Sequence, residues 1–140
     1  MSTLIDQLLQ ADVKKVTELP TAKYEVKRLS KLLKTKFEME LCAIPAKRYT
    51  EIQQNSVDLG RKGNVKDLKM FNLQALTLID GIKEPSMKSP ELLRYYSAAT
   101  PKDLVAKLFL SGEIADIYGK INELSGYEPD TDETEKTVKN

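Results

Sequence analysis

The chain predicts a mainly α-helical α+β fold: a single domain of about six helices with a small antiparallel β-hairpin near the N-terminal third. Three observations carry this. Apolar residues recur at helical spacing through residues 68–82 and 104–124. Two helix starts are written the same way, Ser89-Pro90 and Thr100-Pro101, with a capping hydroxyl before a proline that has no N–H to leave unpaired. Residues 36–44, KFEMELCAI, alternate with the period of a strand.

The elements follow in order. Thr3 to Asp6 has a capping-box pattern, and Leu4, Ile5, Leu8 and Leu9 form a short helical stripe. Leu19-Pro20-Thr21 is a connector. Residues 22–28 alternate as a strand with Tyr24 and Val26 on one face. Residues 29–35 are ambiguous, although Leu29, Leu32 and Leu33 fit a helical turn between strands. In the strand at 36–44, Phe37, Met39, Leu41 and Ala43 face one way and Glu38, Glu40 and Cys42 the other. The two strands are expected to pair antiparallel. Pro45 opens a helix to about Val57, with Tyr49 and Ile52 inward.

After a loop at Gly60 to Asn64, Asp67 is expected to cap a helix carrying Leu68, Phe71, Ala75, Leu76 and Ile79. Gly81 is expected to end that helix, and Ile82 to Pro85 to leave it extended. Ser86 to Lys88 is a loop, and the next helix presents Leu92, Leu93 and Tyr96. In the segment 100–127, Leu104, Val105, Leu108 and Phe109 form one stripe and Ile114, Ile117, Tyr118, Ile121 and Leu124 a second, with Ser111-Gly112 as the break. Gly126 stands where a left-handed cap belongs.

Composition narrows the function. At 140 residues, 41% hydrophobic and 31% charged, the chain suits one domain with a real core. No apolar run approaches the ~20 residues of a membrane helix, and the start lacks the pattern of a secretory leader. One cysteine excludes an intrachain disulfide framework, and the sum fits a cytoplasmic protein. Residues 128–140 carry five acids and two lysines, a net −3, so the chain's overall +1 leaves +4 on residues 1–127. Residues 1–127 are therefore expected to form the domain, and 128–140 a disordered acidic tail with Val138 as its one aliphatic residue.

Catalytic chemistry finds little support. The chain has no histidine, which removes the commonest general base and metal ligand. Cys42 lies beside Glu38 and Glu40, whose charges disfavour a thiolate. Asp130-Thr-Asp132 starts like a calcium loop but has Glu135 where glycine is required. Gly112 to Lys120 has the wrong spacing for a phosphate loop. No catalytic residue, cofactor or metal is expected, and the chain reads as non-enzymatic.

Two binding readings compete. Gly60 to Lys66 is a concentrated basic loop without aromatic residues for base stacking, and reads as a solvated loop. Residues 101–124 have the outline of a helix-turn-helix, which makes a nucleic-acid-binding regulator the alternative function. The recognition helix of that motif would carry Glu113, Asp116 and Glu123 against a single lysine, the wrong sign for phosphates. Residues 100–127 therefore read as a packing and docking element.

Several segments, in order, are similar to the XkdN-like phage tail assembly chaperones. The strongest are TPKDLVAKLFLSGEI (Thr100–Ile114) and INELSGY (Ile121–Tyr127). LLQAD, VKRLSKLL, FEMELCAI with PAKRYTEIQ, KGNVKDLKMFNLQ and DGIKEP support them, covering almost the whole chain to Tyr127. Ser111 stands where such proteins often have proline, and Lys34-Thr35-Lys36 where they often have Gly-x-Pro or Gly-x-Phe. The resemblance implies a non-enzymatic chaperone in the cytoplasm of the bacterial host, absent from the mature virion. Its implied partners are the tape measure protein, the tail tube protein and a frameshift-extended form of itself, with no nucleic acid and no membrane. For the partner surface the expected residues are Phe109, Leu110, Gly112, Glu113 and Ile114, around the turn. Leu110 leads them because it is fully apolar yet falls off the Leu104/Leu108 stripe.

Overall fold

A computed structural model of the chain describes residues 3–59 and 65–127. The N-terminal arm holds α1 (Leu4–Gln10) and α2 (Val13–Thr17). The capping box of α1 forms as expected: Asp6 N donates to Thr3 Oγ1 at 3.1 Å, and Thr3 N donates to Asp6 Oδ2 at 3.2 Å. The Asp12 carboxylate caps α2 by accepting from Lys14 N at 3.0 Å.

Strand β1 (Thr21–Glu25) leads into α3 (Lys27–Leu33) and then β2 (Glu38–Cys42). The strands pair antiparallel from Thr21↔Cys42 to Glu25↔Glu38. The first strand ends before residues 27 and 28, because the chain already turns into α3 after Val26. Val26 N still donates to Phe37 O at 3.1 Å, closing the ladder. Ser30 stitches this bend, accepting from Phe37 N and donating to Glu25 Oε2, both at 2.8 Å. The ambiguous segment at 29–35 is thus mostly helix.

The long helices α4 (Ala46–Leu59) and α5 (Val65–Gly81) come next, followed by β3 (Ile82–Glu84). The extended exit at Ile82 pairs antiparallel with β2, so the expected hairpin becomes a three-stranded sheet of order β1-β2-β3. Asp67 lies inside α5 rather than capping it, since the helix begins two residues earlier. Residues 60–64, most of the basic loop, lie outside the described residues, as does the tail at 128–140.

Three helices complete the domain: α6 (Pro90–Tyr95), α7 (Pro101–Leu108) and α8 (Ser111–Leu124). Ser89 and Thr100 cap α6 and α7 through Leu92 N and Asp103 N. Asp103 reaches back to Ala99 N at 3.1 Å, one residue short of a true capping box. The break between α7 and α8 falls at Phe109-Leu110, and Ser111 already opens α8. Gly126 takes φ 103°, the left-handed value expected of it. Gly126 N donates to Glu123 O and Tyr127 N to Asn122 O, each at 3.0 Å, which makes a Schellman motif.

The core is built around α5, which packs against α4, α7, α8 and β3. Met39 and Leu41 of β2, Ile52 of α4, Leu104 and Val105 of α7, and Ile117 and Ile121 of α8 are buried there. Because α5 is covered on several sides, its buried set is wider than one stripe. Asn72, Ala75, Thr77 and Leu78 are buried, while Phe71, Leu76 and Ile79 are half-buried. Lys102 Nζ of α7 donates to Asn72 Oδ1 at 2.7 Å, and Thr77 Oγ1 donates to Leu73 O at 2.8 Å. An Arg48–Asp80 ion pair ties α4 to the end of α5.

At Gly81 the backbone of α5 lies tight against Ile121 of α8. A Cβ there would lie 2.5–2.9 Å from three side-chain atoms of buried Ile121. Gly119, within α8, faces open space. Gly81→Ala is therefore expected to destabilise the fold by about 1–3 kcal/mol through overpacking. Gly119→Ala is expected to stabilise it by about 1 kcal/mol through helix propensity. Urea unfolding of both variants checks the opposite signs.

Candidate partner-binding surface

The five residues around the turn divide into base and surface. Phe109 and Ile114 are buried in the core cluster, so the hydrophobic effect already holds them in the domain. Leu110 is 58% exposed, and Gly112 is exposed with open space where a Cβ would stand. Glu113 is half-buried and spoken for by Arg28 of α3.

The Arg28–Glu113 contact organises this corner. Arg28 Nε donates to Glu113 Oε2 and Arg28 Nη2 to Glu113 Oε1, both at 2.9 Å, the planar fork-to-fork geometry that favours arginine over lysine. Nη2 also donates to the carbonyl of Leu108 at 2.8 Å, at the end of α7. Leu110 has no polar side chain to accept from the first N–H groups of α8, so only the other half of a capping box forms: Leu110 N donates to Glu113 Oε1 at 2.8 Å. One guanidinium and one carboxylate thus join α3, the end of α7 and the start of α8.

A groove of about 410 Å3 runs beside this pair, with Tyr24, Lys27 and Asp116 on its walls. Burial, then the charges of Asp116 and Glu113, push the Tyr24 phenol above its usual range. The Arg28 hydrogen bond holds the Glu113 carboxyl below the usual carboxylate range; burial opposes this, and the Leu110 amide reinforces it.

Alongside the corner, α3 carries an apolar pair that composition alone does not flag as a surface. Leu32 and Leu33 are 66% and 52% exposed, while Leu29 packs against the core. The run KRLSKLLKTK sets Leu29, Leu32 and Leu33 at i, i+3 and i+4, one face of a helix, so the sequence shows the apolar stripe but not that only Leu29 reaches the core. Arg28 was also hard to single out, because its partner lies 85 residues away.

Cys42 is half-buried, and burial is the first cause that pushes its thiol up; Lys83 opposes it, and Glu40 and then Asp80 add to it. Of the two carboxylates expected to disfavour its thiolate, Glu40 does so, ranking behind burial and behind the opposing Lys83. The helix-turn-helix outline is also disfavoured. Leu104, Val105, Ile117 and Ile121 bury one face each of α7 and α8, and the outward face of α8 presents Ala115, Asp116, Gly119 and Glu123. Among the described residues, no helix is long and apolar enough to cross a membrane.

The Arg28–Glu113 pair makes the corner sensitive to acid. Because the folded carboxyl titrates below its ordinary value of about 4.3, its contribution is fully present above that pH and is lost as pH falls through the folded value. Glu113→Gln is expected to lower the melting temperature at pH 7 and to flatten the acid limb of stability. Thermal melts from pH 7 to pH 2.5 test this; an unchanged acid limb would show that the pair does not hold the corner.

Comparisons with known proteins agree with this architecture. The phage XkdN-like tail assembly chaperone family matches residues 5–139. The chain is 31% identical over 102 residues to the phage-like element PBSX protein XkdN of Bacillus subtilis (strain 168), covering 69% of this chain and 68% of that one. Its fold is similar to the crystal structure of the protein yqbn, with a TM-score of 0.57 at 20% identity over 84% of this chain and 98% of that chain. The matched stretch spans the sheet, the α5 core and the α7–α8 corner together, and the chain belongs to the XkdN-like phage tail assembly chaperone family.

Proposed function

We propose that the chain acts without catalysis, in the cytoplasm of the bacterial host, by holding the tape measure protein during tail assembly. Recruitment of tail tube subunits and departure before the virion is complete belong to the same reading, as does a frameshift-extended form with a further C-terminal segment. The observation that carries it is Leu110, an exposed leucine at the corner braced by Arg28 and Glu113. A rigid apolar projection beside the exposed leucines of α3 suits an apolar helical stripe on a partner. Within this reading Gly112 lets a partner backbone approach closely, Glu113 positions Leu110, and Phe109 and Ile114 anchor the turn from below. Nucleic acid has no part in it, given the acids on the outward face of α8.

Co-expression with the tape measure protein tests the proposal. The wild-type chain is expected to raise the soluble fraction of that protein and to co-purify with it. Leu110→Glu is expected to remain folded by circular dichroism and to lose at least about tenfold in recovered complex, since one desolvated leucine at an interface is worth roughly 1.5–3 kcal/mol. Ile114→Lys is expected to unfold the domain. Undiminished co-purification with folded Leu110→Glu would place the partner elsewhere.

A further inference from the structure

The groove of about 410 Å3 beside the Arg28–Glu113 pair falls in the size range of ligand pockets. One wall is Tyr24 and Glu25 of β1 with Lys27 and Arg28 of α3, and the other is Glu113 and Asp116 of α8. Both walls are held in place. Buried Ile117 fixes α8 to the core, and the Arg28 fork on Glu113 ties α3 to α8. A groove held open in this way needs little reordering to take a ligand.

Its charges do not balance. Glu25, Glu113 and Asp116 face only Lys27 and Arg28, which leaves one negative charge in excess. Arg28 and Glu113 neutralise each other through two hydrogen bonds of 2.9 Å. Glu25 Oε2 accepts from Ser30 Oγ at 2.8 Å. Asp116 is exposed and has no ion-pair partner among the described residues. Tyr24 lies on the wall opposite Asp116, and after burial the charges that act on its phenol are those of Asp116 and Glu113, both negative. A free carboxylate and an aromatic ring on facing walls suit a cation, which each of them attracts. The groove is also continuous with the Leu110 corner, because Glu113 of its wall accepts from Leu110 N at 2.8 Å. Asp116 follows Leu110 by six positions, about 9 Å along α8.

We propose that the groove takes a lysine or arginine side chain of the partner, carried on the same helical segment whose apolar residue meets Leu110. A segment lying along α8 presents the two residues about two helical turns apart on one face. The inference rests on the proposed docking at Leu110 and adds what the partner segment must carry, a base two turns from its apolar contact. Asp116 draws in the base, Tyr24 lines its path, and the Arg28–Glu113 pair keeps the walls apart without competing for it.

Nα-acetyl-arginine amide, titrated into the purified chain and followed by NMR, tests the groove without any partner protein. Saturable shifts at the Tyr24 ring and the Asp116 amide are expected, with a millimolar Kd, and Nα-acetyl-glutamate amide is expected to cause none. Asp116→Asn is expected to weaken the arginine probe about three- to fivefold. Lys27→Gln, which removes the base that Glu113 does not match, is expected to strengthen it. An unchanged response in Asp116→Asn, loss of binding in Lys27→Gln or a stronger response to the glutamate probe would each overturn the proposal. In the complex, Asp116→Lys is expected to stay folded and to lower recovery of the tape measure protein about tenfold. Replacing one base of the partner segment by glutamate is expected to restore it. If Leu110→Glu abolishes recovery while Asp116→Lys leaves it whole, the groove proposal fails and docking at Leu110 stands. If the arginine probe saturates the groove but the wild-type chain recovers no tape measure protein, the docking reading fails and the cation site stands.

Discussion

The close approach of α5 and α8 at Gly81 and Ile121 is the contact on which the rest of the domain depends. It lets α5 lie deep enough to be covered by α4, α7, α8 and β3. A side chain at residue 81 would hold α8 off, and with it Ile117 and Ile121, which are fully buried. The position is also the last of α5, immediately before β3. Close packing of this kind transmits small volume changes, because protein interiors leave few voids to absorb them.

The α7–α8 corner depends on a different force. Its apolar base, Phe109 and Ile114, is held by burial, but the exposed tip has no such support. Arg28 and Glu113 provide it by satisfying the Leu108 carbonyl and the Leu110 amide that the chain break leaves open. The pair is partly exposed, at 34% and 18%, so it acts chiefly as a geometric brace. A single exposed leucine becomes a fixed projection by being set on a rigid turn, and fixed projections bind with less ordering cost than mobile ones.

Much of the fold was legible in the residues. Capping at Thr3, Ser89 and Thr100, the alternation through Met39 and Leu41, and the left-handed Gly126 all appeared where local chemistry placed them. These signals are short-range, and each involves residues within about one turn of helix or a few strand positions. Legibility fell wherever an outcome depended on distant neighbours. Ile82–Glu84 became a strand because β2 lay beside it, and the inner face of α5 widened to Asn72 and Thr77 because several elements covered it. For the candidate surface, Leu110 was legible as an apolar residue off its stripe, whereas Arg28 as its brace was not.

By itself the sequence determined most of the helical segments, the helix starts capped by Thr3, Ser89 and Thr100, the strand through Glu38–Cys42, and that histidine-based catalysis is unavailable. Its wording also carried the family resemblance. Only the tertiary structure decided which apolar residues are spent in the core and which remain exposed. Phe109 and Leu110 are adjacent and equally apolar, yet one is buried and the other is not. The same holds between Leu29 and Leu32, and across the arm, where well-specified helices proved to have no cover from their own body. Periodicity tells which face of an element is apolar, but burial depends on what packs against that face, and distant parts of the chain supply it.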